Sequence, residues 1–357
     1  MLKTLKQSLL KAARQTRLTS LVGSSRWRKN RLLILGYHGI SIDDEHEWNP
    51  ALYLSQELFS RRMMALRSGN VLCLEEGLKR LGTGNLPERA VAITFDDGTY
   101  DFLARAYPVL KKFQYPVTVY QTTYYSPYNR PVFNGICSYI LWKGRDKRRI
   151  DGREFTGREG EWDLSEKASR LKIATQIFQF SQPMSVEEKD ELARRLAGRL
   201  DVDFQSILDK RIIHLMRPDE IAQLHKSGVD IQLHTHRHRN PRDRNLFLRE
   251  IADNQDFLRQ TGQPSARHFC YPNGNYDLQL VPWLRECGIE SAVTCDIGLA
   301  TPGAERLLLP RLVDTSHLSA IEFEGWLSGI SEFFPRRSIP KPAPPQFPVT
   351  LPASPSA

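Results

Sequence analysis

The fold class of this chain is decided by the stretch RAVAITFDDG, which spans residues 89–98. A run rich in apolar and β-branched side chains ends there at two aspartates and a glycine, as a buried strand does when it enters a turn. A helical pattern over 101–113 and a second strand pattern over 116–120 follow. Because a strand–helix–strand unit pairs its strands in parallel, the sequence predicts an α/β fold, either a barrel or a doubly wound sheet.

The alternation of strand and helix continues on both sides of this unit. Further strands are predicted at 32–35, 229–233, 267–271, 291–294 and 307–313, and further helices at 55–66, 74–81, 218–227, 245–260, 278–287 and 319–330. Residues from about 135 to 226 are charged and helical in pattern with no clear strand, which predicts a helical insertion. The length fits one barrel-sized domain, which we place at 32–334. A basic segment at 1–31 precedes it, and a proline-rich tail at 335–357, predicted to be disordered, follows it.

The charge of the chain is concentrated at one end. The formal net charge is +9, but residues 1–31 hold nine basic and no acidic side chains, which leaves 41 basic and 41 acidic residues in the rest. Such a balanced body argues against a broad nucleic-acid-binding surface. A mean hydropathy of −0.44, together with the lack of any long apolar run, excludes a multispanning membrane protein.

The basic segment 1–31 carries an amphipathic pattern in its first half, where Leu2, Leu5, Leu9, Ala12 and Ala13 recur near helical spacing. Such a helix could lie on an anionic membrane surface, or it could be a solvated helix whose leucines rest on the barrel. The segment lacks the apolar stretch of a secretory signal, and the five cysteines include no C-x-x-C pair. We therefore expect a cytoplasmic protein, either free or held peripherally at the inner face of the membrane.

Two clusters of metal-binding side chains directly follow predicted strands, at the carboxyl ends where parallel α/β folds place their active sites. The adjacent carboxylates of Asp96 and Asp97 repel each other unless a cation or an arginine compensates, which indicates metal binding or acid–base work, with a solvated turn as the alternative. His234 and His238 follow the strand at 229–233. With one aspartate they would form a two-histidine, one-carboxylate set suited to Zn²⁺ and also to Co²⁺, Mn²⁺ or Fe²⁺, although surface histidines fit the spacing equally well.

A third cluster, FCYPNG at 269–274, joins the end of a strand to a proline and a glycine. These residues predict an unusual turn with exposed backbone N–H groups. Such donors could stabilise an oxyanion, and an ordinary turn after a strand is the alternative.

Together the three clusters resemble the motifs of the polysaccharide deacetylase family, also called carbohydrate esterase family 4 or the chitooligosaccharide deacetylase homology group. TFDDG at 94–98 is similar to the first motif of that family, HTHRH at 234–238 to its H-[ST]-x-x-H motif, and FCYPNG to a variant of its third motif. LGYHGI at 35–40 resembles the opening found in a subset of the family. The similarity extends from about residue 33 to about residue 313.

The resemblance implies a distorted β/α barrel and a metal-dependent hydrolase of carbon–nitrogen bonds. The activity implied is removal of N-acetyl groups from the amino sugars of a polysaccharide, an oligosaccharide or a lipid-linked precursor, as in exopolysaccharide biosynthesis. Asp96 would be the general base. Asp97, His234 and His238 would hold a divalent metal, with Zn²⁺ as the first choice. The backbone N–H of Asn273 would contribute to the oxyanion site.

The remaining roles are less directly implied, because the sequence departs from the family pattern. The family has an arginine bracing the catalytic aspartate where this chain has a cysteine, so either Arg267 or Arg311 is expected to replace it. The candidates for the general acid are His317 and His38, and the alternative for His317 is a surface or helix-start residue. Side chains expected to contact or orient the substrate are Thr235, Tyr271, Arg267, Arg311 and His38.

Two alternatives to N-deacetylation remain at this stage. The same chemistry could remove a formyl group or an O-acetyl ester from a lipid-linked sugar. The missing arginine and the unlocated acid would also fit a catalytically silent carbohydrate-binding relative, although such a protein has no need for a full set of metal ligands.

Overall fold

The computed structural model describes residues 2–157 and 159–334, and within these ranges it contains twelve β-strands and sixteen α-helices. The strands are β1 (Leu33–Tyr37), β2 (Gly39–Ile40), β3 (Tyr53–Leu54), β4 (Asn70–Leu72), β5 (Ala90–Phe95), β6 (Thr118–Gln121), β7 (Arg149–Asp151), β8 (Glu161–Asp163), β9 (Asp230–Leu233), β10 (His268–Cys270), β11 (Ser291–Val293) and β12 (Leu312–Val313). The helices are α1 (Leu2–Gln15), α2 (Leu18–Ser24), α3 (Arg26–Lys29), α4 (Glu45–Trp48), α5 (Gln56–Ala65), α6 (Leu74–Thr83), α7 (Tyr107–Phe113), α8 (Phe133–Lys143), α9 (Arg153–Thr156), α10 (Lys167–Phe180), α11 (Val186–Arg199), α12 (Phe204–Asp209), α13 (Pro218–Lys226), α14 (Arg244–Gln260), α15 (Leu280–Glu286) and α16 (Ala320–Ser328). The tail at 335–357, predicted to be disordered, lies outside the described residues.

Eight of these strands build one sheet in the spatial order β11-β10-β9-β6-β5-β1-β12, with β4 paired to the first half of β5. The pairings within this sheet are parallel, and every residue of β1 is aligned with a residue of β5. The two ends of the order approach each other, because Leu309 bridges to Val293 of β11 just before β12 pairs with β1. The strands thus curl into the distorted β/α barrel that the family resemblance implies, and not into a doubly wound sheet.

Alternate residues of the central strands build two different cores, as expected for strands buried on both faces. The odd-numbered residues of β5 pack with the surrounding helices in the main core. Even-numbered Ala90 and Ala92 join an inner cluster that also contains Tyr120 and Cys270. Asp96 follows in the even-numbered row and is therefore aimed into the carboxyl end of the barrel.

Residues 133–213, here called the helical insert, form a hydrophobic core of their own between β6 and α13. α8 packs on α10 and α11, and β7 and β8 add an antiparallel hairpin. The expectation of a stretch without strands was wrong, since strands of three residues are too short to show a period. The N–H of Tyr100 donates to the carbonyl of His214 (2.8 Å), and that of Met216 to Gly98 (3.0 Å). The residues that directly follow the insert therefore lie beside the turn that carries the two aspartates.

The N-terminal segment folds as α1, α2 and α3 against α16. Arg28 in α3 is fully buried, and its guanidinium donates to the carbonyls of Leu327 (3.2 Å), Arg31 (2.6 Å) and Ala90 (3.1 Å), which fastens the segment to the start of β5. Within the part of the chain that the structure describes, no helix is both long and apolar enough to cross a bilayer.

Candidate metal centre and active site

The turn after β5 sets the position of the two aspartates. Asp97 and Gly98 both have positive φ angles, 68° and 74°. A Cβ atom on Gly98 would lie 2.0 Å from the side chain of Gln121, so glycine alone fits where the chain leaves the strand. The turn directs Asp96 and Asp97 to the carboxyl end of the barrel, where β9 and β10 also end.

Asp97, His234 and His238 converge at this end of the barrel. Oδ1 of Asp97 lies 3.1 Å from Nε2 of His234 and 3.1 Å from Nε2 of His238. The ligand atoms of all three side chains lie within 4.8 Å of one another. The structure thus brings together the three residues that the sequence predicts as metal ligands, from two loops far apart in the chain.

The hydrogen bonds of the two histidines fit a cation between them. Nδ1 of His234 lies 2.8 Å from the carbonyl of Cys270, which can only accept, so Nδ1 carries the proton and a neutral ring turns the lone pair of Nε2 toward Asp97. Nε2 of His238 is buried, and among the described residues it has no hydrogen bond of good geometry. A divalent cation would satisfy all three acceptors, and the bond to Cys270 is the support that metal-binding histidines commonly have.

The charges of this cluster favour an ionised carboxylate. Burial by itself would raise the pKa of Asp97, but hydrogen bonds that the His234 and His238 rings donate when their Nε2 atoms are protonated outweigh it and hold that pKa well below its usual value. Burial lowers the pKa of His238, and the Asp97 carboxylate outweighs this and raises it. Asp97 is therefore a permanent anion at neutral pH, as a metal ligand must be.

Asp96 is paired with an arginine rather than with the histidines. Arg311, just before β12, donates from Nη1 to Oδ1 (2.8 Å) and from Nη2 to Oδ2 (2.5 Å), and both side chains are buried. Burial would raise the pKa of Asp96, but Arg311 outweighs it and lowers that pKa. Nε2 of His38 lies 3.5 Å from Oδ2 of Asp96. Asp96 is thus an ionised carboxylate with a histidine at its side.

Arg311 also explains the cysteine in the third motif. Its Nη2 lies 3.1 Å from Sγ of Cys270, the position where the family pattern has its arginine, and its Nε donates to the carbonyl of Thr294 (2.8 Å). A Cβ atom on Gly36 would lie 3.0 Å from Nη1, so the glycine of β1 leaves the space that the guanidinium occupies. The arginine therefore reaches the aspartate from a different strand.

Two residues of α14 that sequence reasoning missed support the histidine loop. Asn254 accepts the N–H of His234 (3.0 Å) and donates to the carbonyl of Gln121 (3.1 Å). Glu250 accepts from the N–H of Arg237 (2.7 Å) and from Nε of Arg239 (2.7 Å). The sequence signal for these two residues was a pair of polar side chains four positions apart on the face of a helix that is otherwise apolar. Buried polar groups need hydrogen-bond partners, so such a pair indicates a supporting contact to a neighbouring loop.

The other predicted residues are placed as follows. The N–H of Asn273, in a turn with φ 58°, has no hydrogen-bond partner among the described residues and is open to a ligand. The hydroxyl of Thr235 accepts the N–H of Arg239 (2.9 Å), and the hydroxyl of buried Tyr271 donates to Leu307 (3.0 Å). Arg267 pairs with Glu75 at the opposite end of β10. His317 is exposed, and its carbonyl accepts from Nζ of Lys3 in α1 (3.0 Å).

Exposed tyrosines stand on the loop after β6, next to the histidine loop. The N–H of Tyr124 donates to the carbonyl of His236 (2.8 Å), and the two rings meet edge to face at 5.4 Å. Tyr125 and Tyr128 pack on Tyr124 and are 43% and 49% exposed. These three residues, here called the tyrosine rim, present aromatic surface beside the candidate metal centre, and the sequence analysis did not single them out.

Two solved structures resemble the whole barrel. Streptococcus pyogenes deacetylase PplD, solved in complex with acetate, matches with a TM-score of 0.54 at 18% identity, over 82% of this chain and 96% of that one. IcaB from Ammonifex degensii matches with a TM-score of 0.52 at 18% identity, over 84% and 97%. At this level of identity the likeness establishes the fold.

Sequence comparison gives the family. Among curated proteins, the poly-β-1,6-N-acetyl-D-glucosamine N-deacetylase of Escherichia coli (strain K12) is 31% identical over 107 residues, which is 27% of this chain and 15% of that protein. The chain therefore spans only a small part of the curated relative. The family model described as polysaccharide deacetylase matches residues 83–142 and 176–292, which include Asp96, Asp97, His234 and His238. The chain belongs to the polysaccharide deacetylase family.

Proposed function

We propose that the protein is a metal-dependent hydrolase that removes N-acetyl groups from the amino sugars of a glycan. The observation that carries this proposal is the pairing of two sites: an aspartate kept ionised by Arg311, directly beside the convergent ligand set of Asp97, His234 and His238. Amide hydrolysis needs both an activated water and a stabilised tetrahedral anion, and this arrangement offers a group for each need. Family membership supports the class of hydrolase acting on carbon–nitrogen bonds.

Asp97, His234 and His238 would hold the divalent cation, for which Zn²⁺ is our first choice. A cation there would supply Lewis acidity, which polarises an acetyl carbonyl and acidifies water. Asp96 then accepts the proton of the attacking water, since Arg311 keeps its carboxylate ionised. The open N–H of Asn273 stands at the same end of the barrel as a donor to the developing oxyanion.

We assign the general acid to His38 rather than to His317. His38 lies 3.5 Å from the Asp96 carboxylate, and its buried Nδ1 has no hydrogen-bond partner among the described residues. We assign to this ring the donation of a proton to the leaving amine, because it lies beside the proposed base. His317, by contrast, is exposed on the turn before α16.

For the substrate we propose a β-1,6-linked N-acetylglucosamine polymer or its lipid-linked precursor. The name of the Escherichia coli relative supports the polymer. A deformylase or an O-acetyl esterase acting on a lipid-linked sugar would use the same residues and is the second candidate. The third candidate is a relative that binds carbohydrate but has lost its catalytic activity. For the location we propose the cytoplasm or the inner face of its membrane, which the five free cysteines support.

Zn²⁺-loaded protein should release acetate from β-1,6-linked N-acetylglucosamine oligomers, measured by a coupled acetate assay. Asp96→Asn should lose about 10²–10⁴-fold in kcat, since a base in the transition state contributes that much. Asp163→Asn, on the exposed hairpin of the insert, is the matched control and should keep full activity. If the protein released only formate from formamido sugars, or only acetate from O-acetyl esters, it would be a deformylase or an O-acetyl esterase instead of an N-deacetylase. Oligomer binding without turnover would make the protein a silent relative.

The tyrosine rim should bind the sugar units next to the reacting one. Tyr124→Ala should raise KM for oligomers by about tenfold and leave kcat nearly unchanged, because an aromatic contact is worth on the order of 1 kcal/mol. Tyr115→Ala, at the other end of β6, serves as the control. Equal KM values for the two variants would show that the rim does not contact the glycan.

A further inference from the structure

One face of α1 is docked firmly on α16. Leu10 and Ala13 are buried in a small cluster with Ile321 and Ile330. On the same side, Nζ of Lys3 donates to the carbonyl of His317 (3.0 Å), the amide of Gln7 donates to Ser319 and Glu322 (both 3.2 Å), and Arg14 pairs with Glu324 (3.2 Å). α1 therefore has a fixed orientation on the barrel and a defined outer face.

The outer face of this segment exposes leucines. Leu5 and Leu9 of α1 are 57% and 48% exposed, and Leu18 and Leu21 of α2 are 45% and 67% exposed. Because α1 and α2 both pack on α16, their exposed sides both point away from the barrel. We call these four residues the leucine strip. Single exposed leucines are ordinary, whereas these four lie on two helices that contact each other and both pack on α16.

Cations flank the leucine strip. Lys6, Lys11 and Arg17 lie on the same two helices and the turn between them, and none has a carboxylate within ion-pair distance among the described residues. The first 31 residues contain no acidic side chain. A surface with apolar side chains between unpaired cations is complementary to a bilayer that has an apolar interior and anionic headgroups.

We propose that the leucine strip and its flanking cations form a docking surface for an anionic lipid bilayer. The leucines enter the level of the headgroups and upper acyl chains, while the cations pair with lipid phosphates. The bonds from α1 to α16 then hold the barrel itself against the membrane, so that attachment needs no spanning helix. This inference does not depend on the proposed deacetylation, because it concerns a surface made by other residues.

The test is co-sedimentation of the full chain with vesicles. Wild-type protein should sediment with vesicles of phosphatidylcholine mixed with phosphatidylglycerol and not with phosphatidylcholine alone, and added salt should release it. The triple variant Leu5→Ser, Leu9→Ser, Leu21→Ser should bind at least tenfold more weakly. Leu278→Ser is the matched control, since Leu278 is 67% exposed like Leu21 but lies just before α15. Lys6→Gln combined with Lys11→Gln should lower binding to the anionic vesicles as well.

Three outcomes would overturn the proposal. The first is absence of wild-type binding to the anionic vesicles, or equal binding by the triple variant and Leu278→Ser. The second is that the wild type is a dimer in light scattering, the triple variant is a monomer, and neither binds vesicles. This result would mean that the leucine strip contacts a second copy of the chain. The third is that the full chain does not bind vesicles and a chain without residues 335–357 does. This result would mean that the C-terminal tail, and not a bilayer, occupies the leucine strip in the full chain. Turnover of a soluble oligomer should stay unchanged in the triple variant, which separates this result from the catalytic proposal.

Discussion

Arg311→Met should lower the free energy of unfolding by about 3–5 kcal/mol, because it leaves the buried carboxylate of Asp96 without its partner. Catalysis should fall with it, since the same carboxylate is the proposed base. The free energy is measured by urea unfolding, and activity by acetate release at a temperature where the variant is still folded.

The loss of stability in this variant should depend on pH. In the wild type Arg311 lowers the pKa of Asp96, so the pair stabilises the fold above the unfolded pKa and loses that contribution as pH falls. Without Arg311, burial raises the pKa of Asp96, and only the smaller effects of His38 and His234 oppose it. The folded variant then binds its proton more tightly than the unfolded chain, and its stability falls as pH rises. The gap between wild type and variant should therefore widen from acidic to neutral pH.

A second buried ion pair supplies the control. Arg62 donates to Asp314 at 2.8 Å, with both side chains buried, and its other acceptor is the carbonyl of Leu318 rather than Asp96 or Asp97. Arg62→Met should destabilise the fold by a comparable amount and leave the turnover of the folded fraction near the wild-type value. If both variants lost turnover equally, Arg311 would have a general structural role and no specific one toward Asp96.

His238→Ala should abolish tight metal binding and lower kcat/KM by at least about a thousandfold, because base and metal ligands act as one unit. Bound Zn²⁺ is measured by mass spectrometry of metals after dialysis. A second readout is the rise in melting temperature when Zn²⁺ is added, which the wild type should show and the variant should not.

His236→Ala is the matched control for this variant. His236 lies in the same loop, but its Nδ1 bonds to the hydroxyl of Thr123 (2.8 Å) and its ring packs on Tyr124, so it faces away from the three ligands. It should keep the metal and most of the activity. Retention of Zn²⁺ by His238→Ala, or its loss from both variants, would refute the assigned ligand set.

The longer buried strands were predictable, because β1 and β5 are largely apolar runs that stop at a turn, β6 continues a run of β-branched residues, and β9 alternates polar with apolar residues. β2, β3, β7 and β8 were not, since two or three residues carry no period and their pairing depends on the surrounding fold. The helix predicted over 101–113 is also only partly regular. It begins as a π-helical turn at Phe102–Ala106 before α7 starts, a local change of winding that sequence patterns do not show.

The candidate site divides in the same way. Asp96, Asp97, His234 and His238 stand in local motifs directly after strands, so their meeting follows from parallel topology. The choice between Arg267 and Arg311 could not be made from the sequence, because it depends on which end of the barrel each reaches. Arg267 lies just before β10, where it pairs with Glu75, whereas Arg311 bonds to Asp96 at the site. Only the three-dimensional arrangement of the strands shows this difference.

The late position of Arg311 has a consequence for biosynthesis. Asp96 precedes its counter-ion by 215 positions, so the ribosome delivers the carboxylate long before the guanidinium that neutralises it. A nascent chain cannot bury that charge at low cost until nearly the whole barrel has been translated. Chains that terminate before residue 311 should consequently be misfolded and inactive. We expect cellular proteases to degrade them as unfolded chains.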